Sequence, residues 1–142
     1  MGTPYETDVV AWACEQAELL RSGNFSAIDV EHIAEEIEDV ARSERRELKH
    51  RLSVLIAHLL KWNHQPTRRG TSWSATIRLQ RREIHYALKS MPSLRHCFDD
   101  EEWLDMMWQS ACDLAEADTG INIPSTHAWS LEQVLDNDFW PD

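Results

Sequence analysis

The stretch HLLKWNHQP at 58–66 sets two histidines, a lysine and a tryptophan at the end of an apolar run. An imidazole is the one side chain that ordinarily titrates near neutral pH. On a helical wheel Arg51, His58 and Trp62 fall on one flank, so His58 is a candidate general acid/base with an anion-binding arginine and an indole beside it. Lys61 falls on the side away from the core and reads as a solvated ammonium able to touch a ligand. Pro66 must stop the helix, because it has no N–H to donate. A pocket is expected where this edge faces the connector at 64–72 and Trp73.

Two further groups stand where apolar side chains are expected. Glu44 lies in the stripe of Ile37, Val40 and Leu48, and Arg81 in that of Trp73, Ile77, Ile84 and Leu88. A lone buried charge is very costly, so each must find an opposite charge or reach water. The expectation is that they pair with each other, or that Arg81 pairs with Glu36. His58, Glu36 and Arg81 are therefore the catalytic candidates. Their structural alternative is an ion pair that fixes helix register. His58 itself is expected to bond a carboxylate or a tryptophan-lined polar cluster and to bind no metal.

Metal chemistry is weakly indicated. No HExxH occurs, and Glu47-x-x-His50 is a single Glu-x-x-His where a dinuclear bundle site needs two. The acids of EHIAEEIED, among them Glu35, Glu36 and Asp39, recur as magnesium-holding helices do, but no second acidic pair follows. No metal ligand and no cofactor are assigned. Arg51-x6-His58 fits the loose spacing of HEPN-type ribonucleases, a spacing that eleven arginines and seven histidines produce about once or twice by chance.

The net charge of −11 hides three blocks. Residues 1–41 carry −9, residues 42–95 carry +10, and residues 96–142 carry −12 with no Lys or Arg. Either acidic helices neutralise the basic ones within the fold, or the basic block is a phosphate-binding face. For the second case the binding candidates are Arg51, Lys61, Trp62, Arg68 and Arg69, with Trp73, Arg78 and Arg82 on the next helix. The acidic total argues for the first, since nucleic-acid binders usually carry a basic surplus.

With 142 residues, 42% hydrophobic and only four glycines, the chain suits one domain, residues 1–142, built of long helices. The periodicity predicts a first helix over 7–21 closed by Gly23, and a second from the cap Asp29 to Asn63. That second element is one long helix or two nearly collinear ones, bent if anywhere at RSERRE. A third is expected from about Ser72 to Ser90, and a fourth within 93–119 closed by Gly120. After a loop with Pro124, the capping box of Ser130 and Gln133 opens a short last helix. The fold class is an all-α bundle of four main helices plus a short C-terminal one. Three cysteines without CxxC spacing suit a reducing compartment. An acidic start unlike a signal peptide, with no apolar run long enough to span a bilayer, points to the cytoplasm and away from membranes.

YETDVVAWACEQAELLRSGNFSAIDVEHIAEEIEDVARSERREL, RLSVLIAHLLKWNHQP, SWSATIRLQRREI, MPSLR and LEQVLDNDFWP, in this order, resemble the domain of unknown function family 29. The resemblance runs from Tyr5 to the tail. It implies a small, stand-alone, all-helical bacterial protein, and it brings no settled activity, substrate or cofactor. The family's usual glycine after EEIED is Ala41 here, which eases a continuous helix through this point. The leading expectation is a binding module with an unidentified protein partner on its acidic arms. A nucleic-acid-acting protein, even a ribonuclease using residues 42–95 with His58, is the alternative. A metal-dependent hydrolase on Glu35, Glu36 and Asp39 is the weaker one.

Overall fold

A computed structural model describes residues 2–123 and 127–142 of the chain. Among them the fold is all-α and has no strand. Helix α1 is Val9–Arg21, α2 Val30–His64, α3 Thr71–Ser90, α4 Glu101–Thr119 and α5 Leu131–Leu135. Single 3-10 turns occupy Phe25–Ala27 and Pro66–Arg68, and a longer 3-10 segment occupies Pro92–Asp99. The four main helices and the short last one are those the periodicity predicts. The expected loop at Pro124 lies outside the described residues.

Two compact units divide the chain, Met1–Ser43 and Glu44–Asp142. The division falls inside RSERRE, where a bend was expected, while α2 is helical throughout Val30–His64.

In the first unit Asp8 caps α1, its Oδ1 accepting from the Val10 and Ala11 amides at 3.1 Å each. The helix closes through Gly23 at φ +78°, a left-handed turn that glycine adopts without a Cβ clash. The Asn24 amide then reaches the Leu19 carbonyl at 2.9 Å and the Gly23 amide that of Leu20 at 3.2 Å, which satisfies two orphan carbonyls. Only Trp12 and Gln16 of α1 are buried, and both are anchored by hydrogen bonds to Asp29 at the start of α2. Polar anchoring, not an apolar core, organises this unit.

The second unit has the core. Leu48, Leu52, Leu55, Ile56 and Leu59 of α2 meet Ile77, Ile84 and Leu88 of α3, with Met107, Trp108 and Ala111 of α4 and Val134 of α5. The fourth helix starts later than 93. Asp100 takes the cap, accepting from the Trp103 amide at 3.2 Å, and Glu101 and Glu102 fill the first turn, where carboxylates suit the helix dipole. The segment before it, after Pro92, winds as 3-10. The capping box on α5 forms as expected, with the Gln133 amide on Ser130 Oγ at 3.1 Å and the Ser130 amide on Gln133 Oε1 at 3.0 Å. Among the described residues no helix is long and apolar enough to cross a membrane.

Candidate functional site

The end of α2 meets the start of α3 and the last residues of the chain in an aromatic and cationic cluster. The Trp62 and Trp140 rings lie 4.8 Å apart. The Arg69 guanidinium sits 5.2 Å from the Trp62 ring, and that of Arg78 5.2 Å from the Trp140 ring. Arg69 is tied to the backbone, Nε donating to the Trp62 carbonyl at 2.7 Å and Nη2 to that of Pro141 at 3.4 Å. Trp62, Arg69, Ser74, Arg78 and Trp140 line an open cavity of about 370 Å³. It lies beside Trp62 and the connector to α3, where the HLLKWNHQP segment predicts a pocket, but neither His58 nor Trp73 lines it.

Arg81 corrects the sequence reading. It is 0% exposed, as a position in the apolar stripe demands, but among the described residues no carboxylate pairs with it. Its Nε donates to the Val134 carbonyl at 2.9 Å and its Nη2 to the Phe139 carbonyl at 2.7 Å, and the guanidinium lies 5.5 Å from the Trp140 ring. Delocalised charge makes arginine suited to such carbonyl and ring contacts. Burial pushes its pKa down, opposed by the charge of Asp136. Glu44 is half-buried and makes no ion pair among the described residues.

Lys61 is the second correction. It is buried, not solvated, and its Nζ pairs with Asp118 at 3.0 Å while lying 5.3 Å from the Trp73 ring. This is the internal ion pair that was expected at Arg81. A long aliphatic stem let the lysine pack inward and still reach a carboxylate at the surface.

His58 is the third. Its Nδ1 donates to the Val54 carbonyl at 2.8 Å, one turn back on its own helix, and not to a carboxylate or an indole. Burial pushes the imidazole below its ordinary value. Glu36 belongs to the first unit and Arg81 bonds elsewhere, so none of the three catalytic candidates bonds to another. Arg51 pairs with Glu47 at 3.1 Å and donates to Gln80 Oε1 at 3.2 Å. Beyond Arg42, Arg51 and Lys61, the basic block finds few acids: Arg45, Arg46, Arg68, Arg82, Lys89 and Arg95 are exposed and without a carboxylate partner among the described residues.

The first unit holds a network that the wheel did not reveal. His32 Nδ1 lies 2.7 Å from Asp29 Oδ2 and Nε2 lies 3.2 Å from Glu6 Oε1. The Tyr5 ring stacks on the imidazole at 4.2 Å, and the Tyr5 hydroxyl donates to Glu36 Oε1. Trp12 Nε1 donates to the same Asp29 oxygen at 3.0 Å. The hydrogen bond to Asp29 raises the His32 pKa, and the same bond lowers that of Asp29. The bond to Glu36 pushes the Tyr5 hydroxyl up to about 12. With both ring nitrogens on carboxylates, His32 has its imidazolium form favoured, in which each nitrogen donates to a carboxylate. It is a clamp, and Asp29-x-x-His32 at a helix start was the signal for it. Glu36 is occupied by Tyr5, and among the described residues no group of three or more His, Cys, Asp or Glu is arranged to hold a metal ion.

On the same unit the apolar side of α2 is uncovered. Ile37 and Val40 are each 66% exposed and Val30 is 63% exposed. Glu31 and Glu38 stand exposed along one side of them.

The family described as Domain of unknown function DUF29 matches residues 4–140, and the chain belongs to it. No curated protein and no solved structure matches the chain.

Proposed function

We propose that this chain is an interaction module that seats a basic amphipathic helix on the acidic, apolar face of its first unit. One observation carries this reading: Val30, Ile37 and Val40, at helix-face spacing and bordered by acids, stand largely in water. Fully burying an aliphatic side chain of this size is worth roughly 1.5–3 kcal/mol. With about two thirds of each side chain still in water, the three together offer roughly 3–6 kcal/mol, comparable to the association cost at its lowest, about 4 kcal/mol. The net −9 of residues 1–41 then selects a basic partner and speeds its arrival. In the second unit Arg81 and the Lys61–Asp118 pair serve the fold.

The test is the affinity of a labelled Leu/Lys amphipathic peptide for the full chain by fluorescence anisotropy. Binding should weaken as salt rises, and a Leu/Glu peptide should not bind. Ile37→Lys with Val40→Lys should lower affinity tenfold or more while the helical circular dichroism is kept. Equal affinity for wild type and variant would sink the proposal.

Exposed cations of the basic block without a carboxylate partner among the described residues support a second reading, contact with nucleic acid. There the phosphate contacts would come from Arg68, Arg69, Arg78 and Arg82. His58 could exchange a proton only through Nε2, since Nδ1 donates to Val54. Affinity would fall steeply with salt, and Arg68→Glu with Arg69→Glu would weaken it. No binding of RNA or DNA at low salt removes this reading.

A further inference from the structure

We infer that the basic amphipathic helix taken by the first unit is α3 of a second copy of this chain, an inference that rests on the reading above. While Ile77, Arg81, Ile84 and Leu88 face the core, the opposite side of α3 carries Arg78, Arg82 and Lys89. Beside them Leu79 is 41% exposed and Tyr86 68% exposed. Helical geometry puts Ala75, Leu79, Arg82, Tyr86 and Lys89 on one face. Glu83, half-buried, is the one acid of α3 beside this face, which is otherwise basic with apolar residues on it.

Spacing and charge both fit the acidic stripe. Val30 and Ile37 are seven residues apart, and so are Leu79 and Tyr86. Each pair is thus separated by two turns, about 10.5 Å along its helix. Glu31 and Glu38 border the first pair, and Arg78, Arg82 and Lys89 border the second. Packing two acidic stripes on each other would instead bring −9 against −9. Opposite faces of one chain sequence therefore select each other, and two such contacts related by a two-fold axis close a dimer.

Sedimentation equilibrium of the full chain tests this. At low salt the wild type should show twice the chain mass and should dissociate toward one chain mass as salt rises. Ile37→Lys with Val40→Lys should be monomeric, and so should Arg82→Glu with Lys89→Glu. Mixed in equal amounts, the two variants should associate again, because the intact stripe of one meets the intact α3 of the other. A monomeric wild type that still binds the Leu/Lys peptide would overturn this inference and leave the interaction module standing. Full association of Arg82→Glu with Lys89→Glu would overturn it in favour of a stripe-on-stripe contact.

Discussion

Val30, Ile37 and Val40 in one half of α2 and Leu48, Leu52, Leu55 and Leu59 in the other follow the same helical period. The first three stand in water, whereas the four leucines are enclosed by α3 and α4. Apolar periodicity marks a face that gains by burial, and it does not say which chain buries it. The polar groups differ in a parallel way. The second unit buries two cations, Arg81 and Lys61, on carbonyls, a ring and one aspartate, whereas the first ties Tyr5, Trp12 and His32 to carboxylates near the surface. One unit is built around a core, the other around a polar clamp that leaves an apolar face free.

The largest expected effect lies inside the second unit. Arg81→Ala removes the donors of two carbonyls, each worth about 1–3 kcal/mol when left without a partner. A loss of roughly 2–6 kcal/mol should appear in urea unfolding. A loss under 1 kcal/mol would mean that the guanidinium is not the bond that holds the chain's last residues.

The next effect sets the two halves of the stripe against each other. Leu55→Ala should cost about 2–5 kcal/mol, as a fully buried truncation does. Ile37→Ala should change stability by no more than about 0.5 kcal/mol at protein concentrations low enough to prevent association. Similar costs at the two positions would erase the distinction between core and free face.

A smaller effect is expected at Lys61. Asp118→Asn leaves the buried ammonium without its counter-charge, yet more than half of the Asp118 side chain is exposed, so solvent screening holds the loss to about 1–2 kcal/mol. Lys61→Met should be close to neutral, because it removes the desolvated charge itself.

The smallest effects are opposite in sign at two histidines. The raised pKa of His32 means that its clamp is in full force below the ordinary value of 6.5 and is lost as pH rises through the raised one. His58 is pushed down, so the folded chain resists a proton that the unfolded chain accepts, and its site loses stability as pH falls through 6.5. Ring-proton NMR should place the two midpoints on opposite sides of 6.5. Midpoints on the same side would contradict the two environments.

Much of this could be read from the residues alone. The helices, the caps at Asp29 and Ser130 and the stop at Pro66 follow from local chemistry, which acts within a few residues. The partners of buried cations did not follow. Arg81 found carbonyls more than fifty residues away, and Lys61 an aspartate 57 residues on, and no helical wheel contains that information. The late start of α4 turned on Asp100 outcompeting Pro92 as the initiator. The clamp at His32 is hard to see in the sequence because its carboxylates come from three places, Glu6, Asp29 and, through Tyr5, Glu36. The charge blocks are visible at once, but which bases meet a carboxylate is seen only in the contacts.

The free face itself can be watched directly. In methyl NMR of the full chain titrated with the Leu/Lys peptide, the resonances of Val30, Ile37 and Val40 should move with a common affinity, while those of Leu52 and Leu55 stay in place. Shifts confined to the leucines of the second unit, or none at all with the peptide in excess, would show that the exposed stripe of α2 is not a binding surface.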